Sequence, residues 1–401
     1  MSTASQALPG DGLVAFDRRR VPERPALARA TTAPRASPRR GWVSSARQPA
    51  VVAFVDCLGL PVAGCYWPRS STVPVPRLAQ PAFDTATAGL QPPFRFAVFG
   101  DQKGLAKSGE WDALLRDLRS LDPPPTFLLD TGDIVENGVH RDQFVQLEQI
   151  LSVVSDLLCL LAVGNHEIDN DDEAAKGHVV EFLGGVIGRD AFRVDKLYYV
   201  KTVGSLRLLM LDSNDLVYPE RGACTARYPA GDRGARQLRW LVDELATPWD
   251  GHTVVALHHT LVLSATKHED HARCLWNGAY AAHGDRTLPE ILIDGGVDLV
   301  LTGHTHTYEV IRVSRGGQSM LSVNLSGKSG GSRRARPVSD PMRAFAARGW
   351  DMSGWEGVSQ GAVMPSGSLV NQFGLVTVTA DGALECVIHH VDDPRPRPCY
   401  P

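Results

Sequence analysis

Several things are missing from this 401-residue chain, and each absence removes a class of function. No apolar stretch is long and uninterrupted enough to span a bilayer, so no transmembrane span is expected. There is no internal repeat and no linker that would set off a second folded domain. The zinc-protease pattern His-Glu-x-x-His is absent, because Lys267-His268-Glu269-Asp270-His271 has the wrong spacing. Ser326-Gly327-Lys328-Ser329 ends like a nucleotide-binding P-loop, but position 322 is Ser where that pattern requires Gly. Nor does one sign of charge dominate: 41 Lys and Arg stand against 45 Asp and Glu. Residues 1–50 carry nine Arg against three acidic residues and are +6, which leaves −10 for the remainder of a chain at −4. The basic charge is too dispersed to argue specific nucleic-acid binding, and none is expected.

What is present divides in two. Residues 1–92 are rich in Pro, Ala, Ser and Arg without helical or strand period, which predicts a disordered leader. Inside it, Ser37-Pro38-Arg39-Arg40-Gly41-Trp42-Val43 loosely resembles a twin-arginine signal. Val62-Ala63-Gly64-Cys65 has the residue types of a lipoprotein cleavage box, which would place a lipid anchor at Cys65. Asp56 interrupts the apolar stretch between them, and the compartment stays open between export and the cytoplasm. Seven cysteines do not settle it. Cys159 reads as a buried thiol. The pairs Cys224/Cys274 and Cys386/Cys399 could be disulfides in an exported protein or free thiols in a cytosolic one.

Residues 93–395 carry the chemistry. Five short apolar runs each end in a residue able to bind a metal: Phe94–Gly100 before Asp101, Thr126–Gly132 before Asp133, and Leu160–Gly164 before Asn165 and His166. The others are Thr253–Leu257 before His258 and His259, and Asp298–Gly303 before His304, Thr305 and His306. Runs of this kind suit strands buried on both faces. In an open α/β sheet ligands gather beyond the carboxyl ends of strands, so all five point to one rim. Carboxylates, an amide and imidazoles without thiolate suit Mn, Fe or Zn. The set is too large for one tetrahedral ion and would be fully used by two ions sharing a carboxylate. Helices are expected at Trp111–Leu121, Arg141–Ser155 and Arg233–Ala246. A hairpin is expected at Tyr198–Val203 and Ser205–Leu211. Later strands are expected at Thr307–Val313, Ser319–Leu325, Phe373–Thr379 and Leu384–Val391. The pattern gives an α/β fold of two packed mixed β-sheets flanked by helices.

The order Gly100-Asp101, Gly132-Asp133-Ile134-Val135, Gly164-Asn165-His166-Glu167, His258 and Gly303-His304-Thr305-His306 resembles the calcineurin-like metallophosphoesterase superfamily over about residues 94–391. Gly303–Glu309 is similar to the last motif of its purple acid phosphatases. The resemblance implies a phosphoric-ester hydrolase, acting on monoesters or diesters through two divalent ions and a metal-bound hydroxide. Asp133 would bridge them, Asp101 and His306 would hold one, and Asn165, His258 and His304 the other. His166 would protonate the leaving oxygen, and Asn165 and Lys103 would lie beside the phosphate. Two positions depart from the pattern. Lys103 stands where the first motif commonly has His, and Glu136 where purple acid phosphatases have Tyr. Lys cannot ligate while protonated, so Gln102, Glu136 or water would complete the first site, or that site is weak and the protein works with one ion or not at all. Lys103 also keeps open a non-catalytic member that binds phosphorylated ligands or metal without turnover. His259 reads as packing or as a neighbour supporting the ligands. His268 and His271 read as solvated loop, and Arg333, Arg334 and Arg336 as solvated. Substrate specificity would lie in loops 214–232, 259–286 and 327–370.

Overall fold

The apolar runs do become buried strands. The computed structural model describes residues 74–103, 110–169, 171–217, 232–262, 271, 274–275, 286–306, 308–326, 355–356, 372–390 and 393–398. The first strands are β1 (Phe94–Phe99), β2 (Phe127–Asp130), β3 (Leu158–Leu161), β4 (Tyr199–Val203), β5 (Leu206–Met210), β6 (His252–Ala256) and β7 (Leu299–Thr302). They are followed by β8 (Tyr308–Arg315), β9 (Gln318–Leu325), β10 (Trp355–Glu356), β11 (Gln372–Val378), β12 (Leu384–His390) and β13 (Asp393–Pro398). One mixed sheet has six strands in the order β13-β12-β11-β1-β2-β3; the other has seven, β10-β8-β9-β7-β6-β5-β4. Within them β1, β2 and β3 are parallel, as are β5, β6, β7 and β9.

The second sheet shows the two-residue period of a strand buried on both sides. Leu208, Met210, Val254, Ala256, Leu299 and Leu301 join the core shared with the first sheet. Their neighbours Leu209, Leu211, Val255, Leu257 and Val300 join a separate core. That outer core is closed by α7 (Asp232–Ala246), whose Leu238, Leu241 and Leu245 recur at helical spacing. It is closed also by α8 (Leu288–Asp294), which begins in a capping box of Thr287 and Glu290 with Pro289 in its first turn. Each fully buried Leu contributes about 1.5–3 kcal/mol, so Leu241→Asp would detach this layer.

The expected hairpin is β4–β5, and the expected helices are α2 (Glu110–Ser120), α3 (Arg141–Leu151, continued by a 3₁₀ turn to Val154) and α7. The periodicity did not predict α5 (Glu173–Ile187), capped by Asp172 Oδ1 on the amides of Ala174 and Ala175. Burial reaches most of its circumference, including Lys176, His178, Val179, Phe182 and Val186, so it has no clear polar face to betray it. Packing also starts ahead of residue 93. Val75, Leu78 and Phe83 are buried in the first core, and Gln80 bonds Leu157 O at 2.6 Å and Cys159 N at 2.9 Å. Residues 1–73, with the expected signal and Cys65, lie outside the described residues, as do His268, Arg333, Arg334 and Arg336. Among the described residues no helix is long and apolar enough to cross a membrane. Cys159 is a buried free thiol and Cys274 is disulfide-bonded. Cys386, within β12, keeps a free thiol, and Cys224 and Cys399, the expected pairing partners, lie outside the described residues.

Candidate metal centre

Five loops leave the carboxyl ends of β1, β2, β3, β6 and β7, and they bring Asp101, Asp133, Asn165, His258 and His304 together. Four non-glycine residues in them adopt positive φ: Asp101 (59°), Asp133 (61°), His304 (74°) and His306 (53°). Asp and His tolerate this region better than most residues, yet it persists only where surrounding structure enforces it. Gly132, at φ 104°, has no room for a side chain: a Cβ would lie 2.6 Å from Ala162 O and 2.7 Å from His258 Nδ1.

The donor atoms converge around His258, which is fully buried. Its Nδ1 lies 2.9 Å from Thr131 O and donates there, which turns the lone pair of Nε2 toward the site. Around that Nε2 stand His304 Nδ1 at 3.0 Å, Asn165 Oδ1 at 3.2 Å and Asp133 Oδ1 at 3.3 Å. Separations of this size would suit donors to a single cation, whose N and O ligands lie about 2.0–2.2 Å from it. On the other side of Asp133, Asp101 Oδ1 lies 3.4 Å from His306 Nε2. That oxygen is buried without a hydrogen bond, whereas Asp101 Oδ2 accepts from His304 N and Ser326 Oγ, each at 2.7 Å. A buried carboxylate oxygen with only an imidazole facing it would suit a cation between the two. The two halves differ in one respect: Lys103 Nζ sits 2.6 Å from Asp133 Oδ2, on the oxygen turned away from His258.

Electrostatics follow from this crowding. Burial opposes the charged form of Asp133, but His258, Lys103 and His166 outweigh it and hold the carboxyl well below its usual range. Burial likewise opposes charge on His258, yet Asp133, Asp101 and Glu167 raise its pKa to about 9. A divalent cation would take the lone pair that this proton occupies.

Glu167 braces the site from below. Fully buried, it accepts from Asp133 N (2.8 Å), Gly164 N (2.7 Å) and Val135 N (3.1 Å). His166 lies at the rim with its side chain 29% exposed; Nδ1 is 2.5 Å from Glu136 O and Nε2 is 3.9 Å from Asp133 Oδ2. Of the two candidate substitutes for the missing first-motif His, Glu136 is exposed. Gln102 is buried, and its amide O and N find no hydrogen-bond partner among the described residues. His259 is a buried supporting residue, its Nδ1 2.8 Å from Ser213 Oγ. His271 departs from the solvated-loop reading: its Nδ1 lies 2.8 Å from His304 Nε2.

Comparison with known proteins gives the family of the chain. The family model described as calcineurin-like phosphoesterase matches residues 94–308. A Rhodococcus erythropolis protein named "Probable cyclic nucleotide phosphodiesterase" is 28% identical over 221 residues, covering 52% of this chain and 62% of its own. Purple acid phosphatase 18 of Arabidopsis thaliana is 27% identical over 280 residues, covering 65% and 55%. The chain thus spans about three-fifths or less of the length of these curated relatives. A purple acid phosphatase from yellow lupin (Lupinus luteus) seeds shares the fold at a TM-score of 0.50 and 14% identity, covering 77% of this chain and 53% of that one.

Proposed function

Because this chain belongs to the calcineurin-like phosphoesterase family, we propose that it hydrolyses phosphoric esters at a dinuclear centre. One cation would be held by Asp133, Asn165, His258 and His304, and the other by Asp101, His306 and the second oxygen of Asp133. The observation that carries this reading is the convergence of four donor atoms of different residues within 3.0–3.3 Å of His258 Nε2 or at its position. Cations bound there would supply Lewis acidity toward a phosphoryl oxygen and lower the pKa of a water molecule. Mn, Fe or Zn suit the donor set.

The chain's own residues do the rest. His166 Nδ1–H donates a hydrogen bond to the peptide carbonyl of Glu136, fixing the ring so that Nε2 faces the site rim. A protonated Nε2 there can deliver its proton to a leaving alkoxide, a role worth about 10²–10⁴ in rate. Asn165 and Lys103 border the same space and would orient the ester's charged oxygens. No side chain needs to form a phosphoenzyme. The monoester and diester forms draw equal support, one from the purple acid phosphatase relatives and one from the phosphodiesterase relative.

A non-catalytic binder is the second reading, favoured by the Lys103–Asp133 ion pair, because the ammonium competes with a cation for Asp133 Oδ2. Hydrolysis of aryl phosphate and bis-aryl phosphate with added Mn²⁺ separates the two. Turnover that falls by about 10²-fold or more in His166→Ala, and with loss of bound metal in Asp133→Asn, supports the enzyme. Turnover unchanged in both variants would place the chemistry elsewhere, and no turnover with any metal would leave the binder.

A further inference from the structure

His304 is engaged at both ring nitrogens. On one side Nδ1 faces His258 Nε2 at 3.0 Å, within the proposed centre. On the other, Nε2 faces His271 Nδ1 at 2.8 Å. His259 stands beside both, with ring centroids 4.3 Å from His304 and 5.2 Å from His271. One ring nitrogen from each of His259, His271 and His304 lies within 4.8 Å of the other two. His259 and His304 are buried and His271 is partly so. Ser213 Oγ engages Nδ1 of His259 at 2.8 Å, so Nε2 is the atom that would coordinate, with Nδ1–H donating to the hydroxyl.

We propose that His259, His271 and Nε2 of His304 form a further cation site, made only of imidazoles and joined to the phosphoesterase centre through the His304 ring. Two neutral imidazoles and the deprotonated ring of His304, with no carboxylate among them, favour Zn²⁺, Cu²⁺ or Ni²⁺ over Mg²⁺ and Mn²⁺. Three protein ligands with a fourth position open to solvent is an ordinary zinc arrangement. When both nitrogens of His304 ligate, its N–H proton leaves to solvent and the freed electron pair goes to the further ion. The site extends the reading above, sharing only His304 with it. Its bland counterpart is a His304 N–H donating to His271, which would merely orient a ligand.

Counting zinc decides between them. Full-length protein and the variants His271→Ala, His259→Gln and Asp133→Asn are loaded with Zn²⁺, freed of loose metal by gel filtration and measured by mass spectrometry, with circular dichroism to confirm folding. Both histidine variants should bind about one Zn²⁺ fewer than the parent, and Asp133→Asn should keep that ion. Co²⁺ loaded into Asp133→Asn should give a visible absorption band that disappears when His271→Ala is added. Loading with Mn²⁺ should give equal counts in the parent and His271→Ala. His259 is buried, so His271→Ala, at a partly exposed position, is the arm that decides if His259→Gln does not fold. Equal zinc counts in the parent and His271→Ala would overturn the proposal in favour of simple orientation. Those counts are independent of turnover: zinc lost with His271 but no ester hydrolysis would defeat only the enzymatic reading, and hydrolysis with equal counts only this one.

Discussion

Removing Glu167 should damage the centre without touching a single metal donor. Its two oxygens accept three buried backbone amides, those of Asp133, Val135 and Gly164, at 2.7–3.1 Å. Glu167→Ala leaves all three donors unsatisfied, each costing about 1–3 kcal/mol. Water entering the space and the non-additivity of neighbouring bonds put the expected loss near the lower end, about 3–5 kcal/mol. Two facts temper it. Burial and the nearby charge of Asp133 push the Glu167 carboxyl up, so deleting the charge relieves some repulsion. Glu167→Gln is therefore the milder arm: its carbonyl can keep the two amides on one oxygen, while its NH₂ opposes Val135 N–H, for about 1–3 kcal/mol. The second readout is metal. Glu167 sets the loop from which Asp133 reaches toward His258, and supports of this kind typically govern about 10–100-fold in metal affinity. Urea unfolding with chelator gives the stability term, and Mn²⁺ titration gives the affinity term. If Glu167→Ala unfolds within about 0.5 kcal/mol of the parent and binds Mn²⁺ equally well, the brace is not what holds the loop.

Three further outcomes follow from named contacts. Asp212, buried and near Asp215, has its pKa raised to about 7 by burial and that neighbour. Between about pH 4 and 7 the folded protein holds a proton the unfolded chain has released, so stability falls as pH rises through that window, by up to about 4 kcal/mol. Asp212→Asn keeps the oxygen that accepts from Asn214 N and Nδ2 and should flatten the slope in urea unfolding from pH 5 to 8; an unchanged slope refutes the assignment. Lys103→Met removes the ammonium from Asp133 Oδ2 and should tighten the Asp101/His306-side cation about tenfold, or 1.4 kcal/mol; calorimetric Mn²⁺ titration showing equal or weaker binding would mean the ion pair does not compete. Finally, cation at about 100 times its Kd should stabilise the parent by about 2.7 kcal/mol over chelated protein, a gain that Asp133→Asn should largely lose in thermal unfolding.

The fold was legible because strands buried on both faces leave an unbroken apolar trace. Leu208-Leu209-Met210 is continuous in sequence although alternate residues serve different cores. Elements without such a trace escaped. Buried on most sides, α5 contains Lys176 and His178, and Lys176 is reconciled with burial by its ion pair to Asp171. The candidate donors were legible for a different reason: each follows shortly after a strand end, so one-dimensional position gives three-dimensional position. Glu167 looked like one more residue of a short motif, and two of its three amide contacts reach back 32 and 34 residues to the loop of Val135 and Asp133. Similarly, the 2.8 Å contact of His271 with His304 joins residues 33 apart, and His271 itself stands in an insertion that carries no period.

What no sequence pattern reveals is the conformational cost of the arrangement. Asp101, Asp133, His304 and His306 each hold positive φ, at about 1–3 kcal/mol per residue for strained backbone, less for these residue types. The offsets lie in the contacts around them. Glu167 takes the amide of Asp133, Asp101 Oδ2 takes that of His304, and Ser326 Oγ accepts from His306 N while donating to Asp101. Three of the four strained residues are thus tied through their own amides to a carboxylate or hydroxyl that the site also uses. The fourth, Asp101, donates its amide to Gly132 O, on the loop that carries Asp133. Strain and donor geometry are therefore one network: loosening Ser326 should release the Asp101/His306 side while leaving the donors around His258 in place. Ser326→Ala tests this, with Mn²⁺ titration expected to lose the weaker of two binding steps. Loss of the tighter step instead would show that the two halves are not separately held.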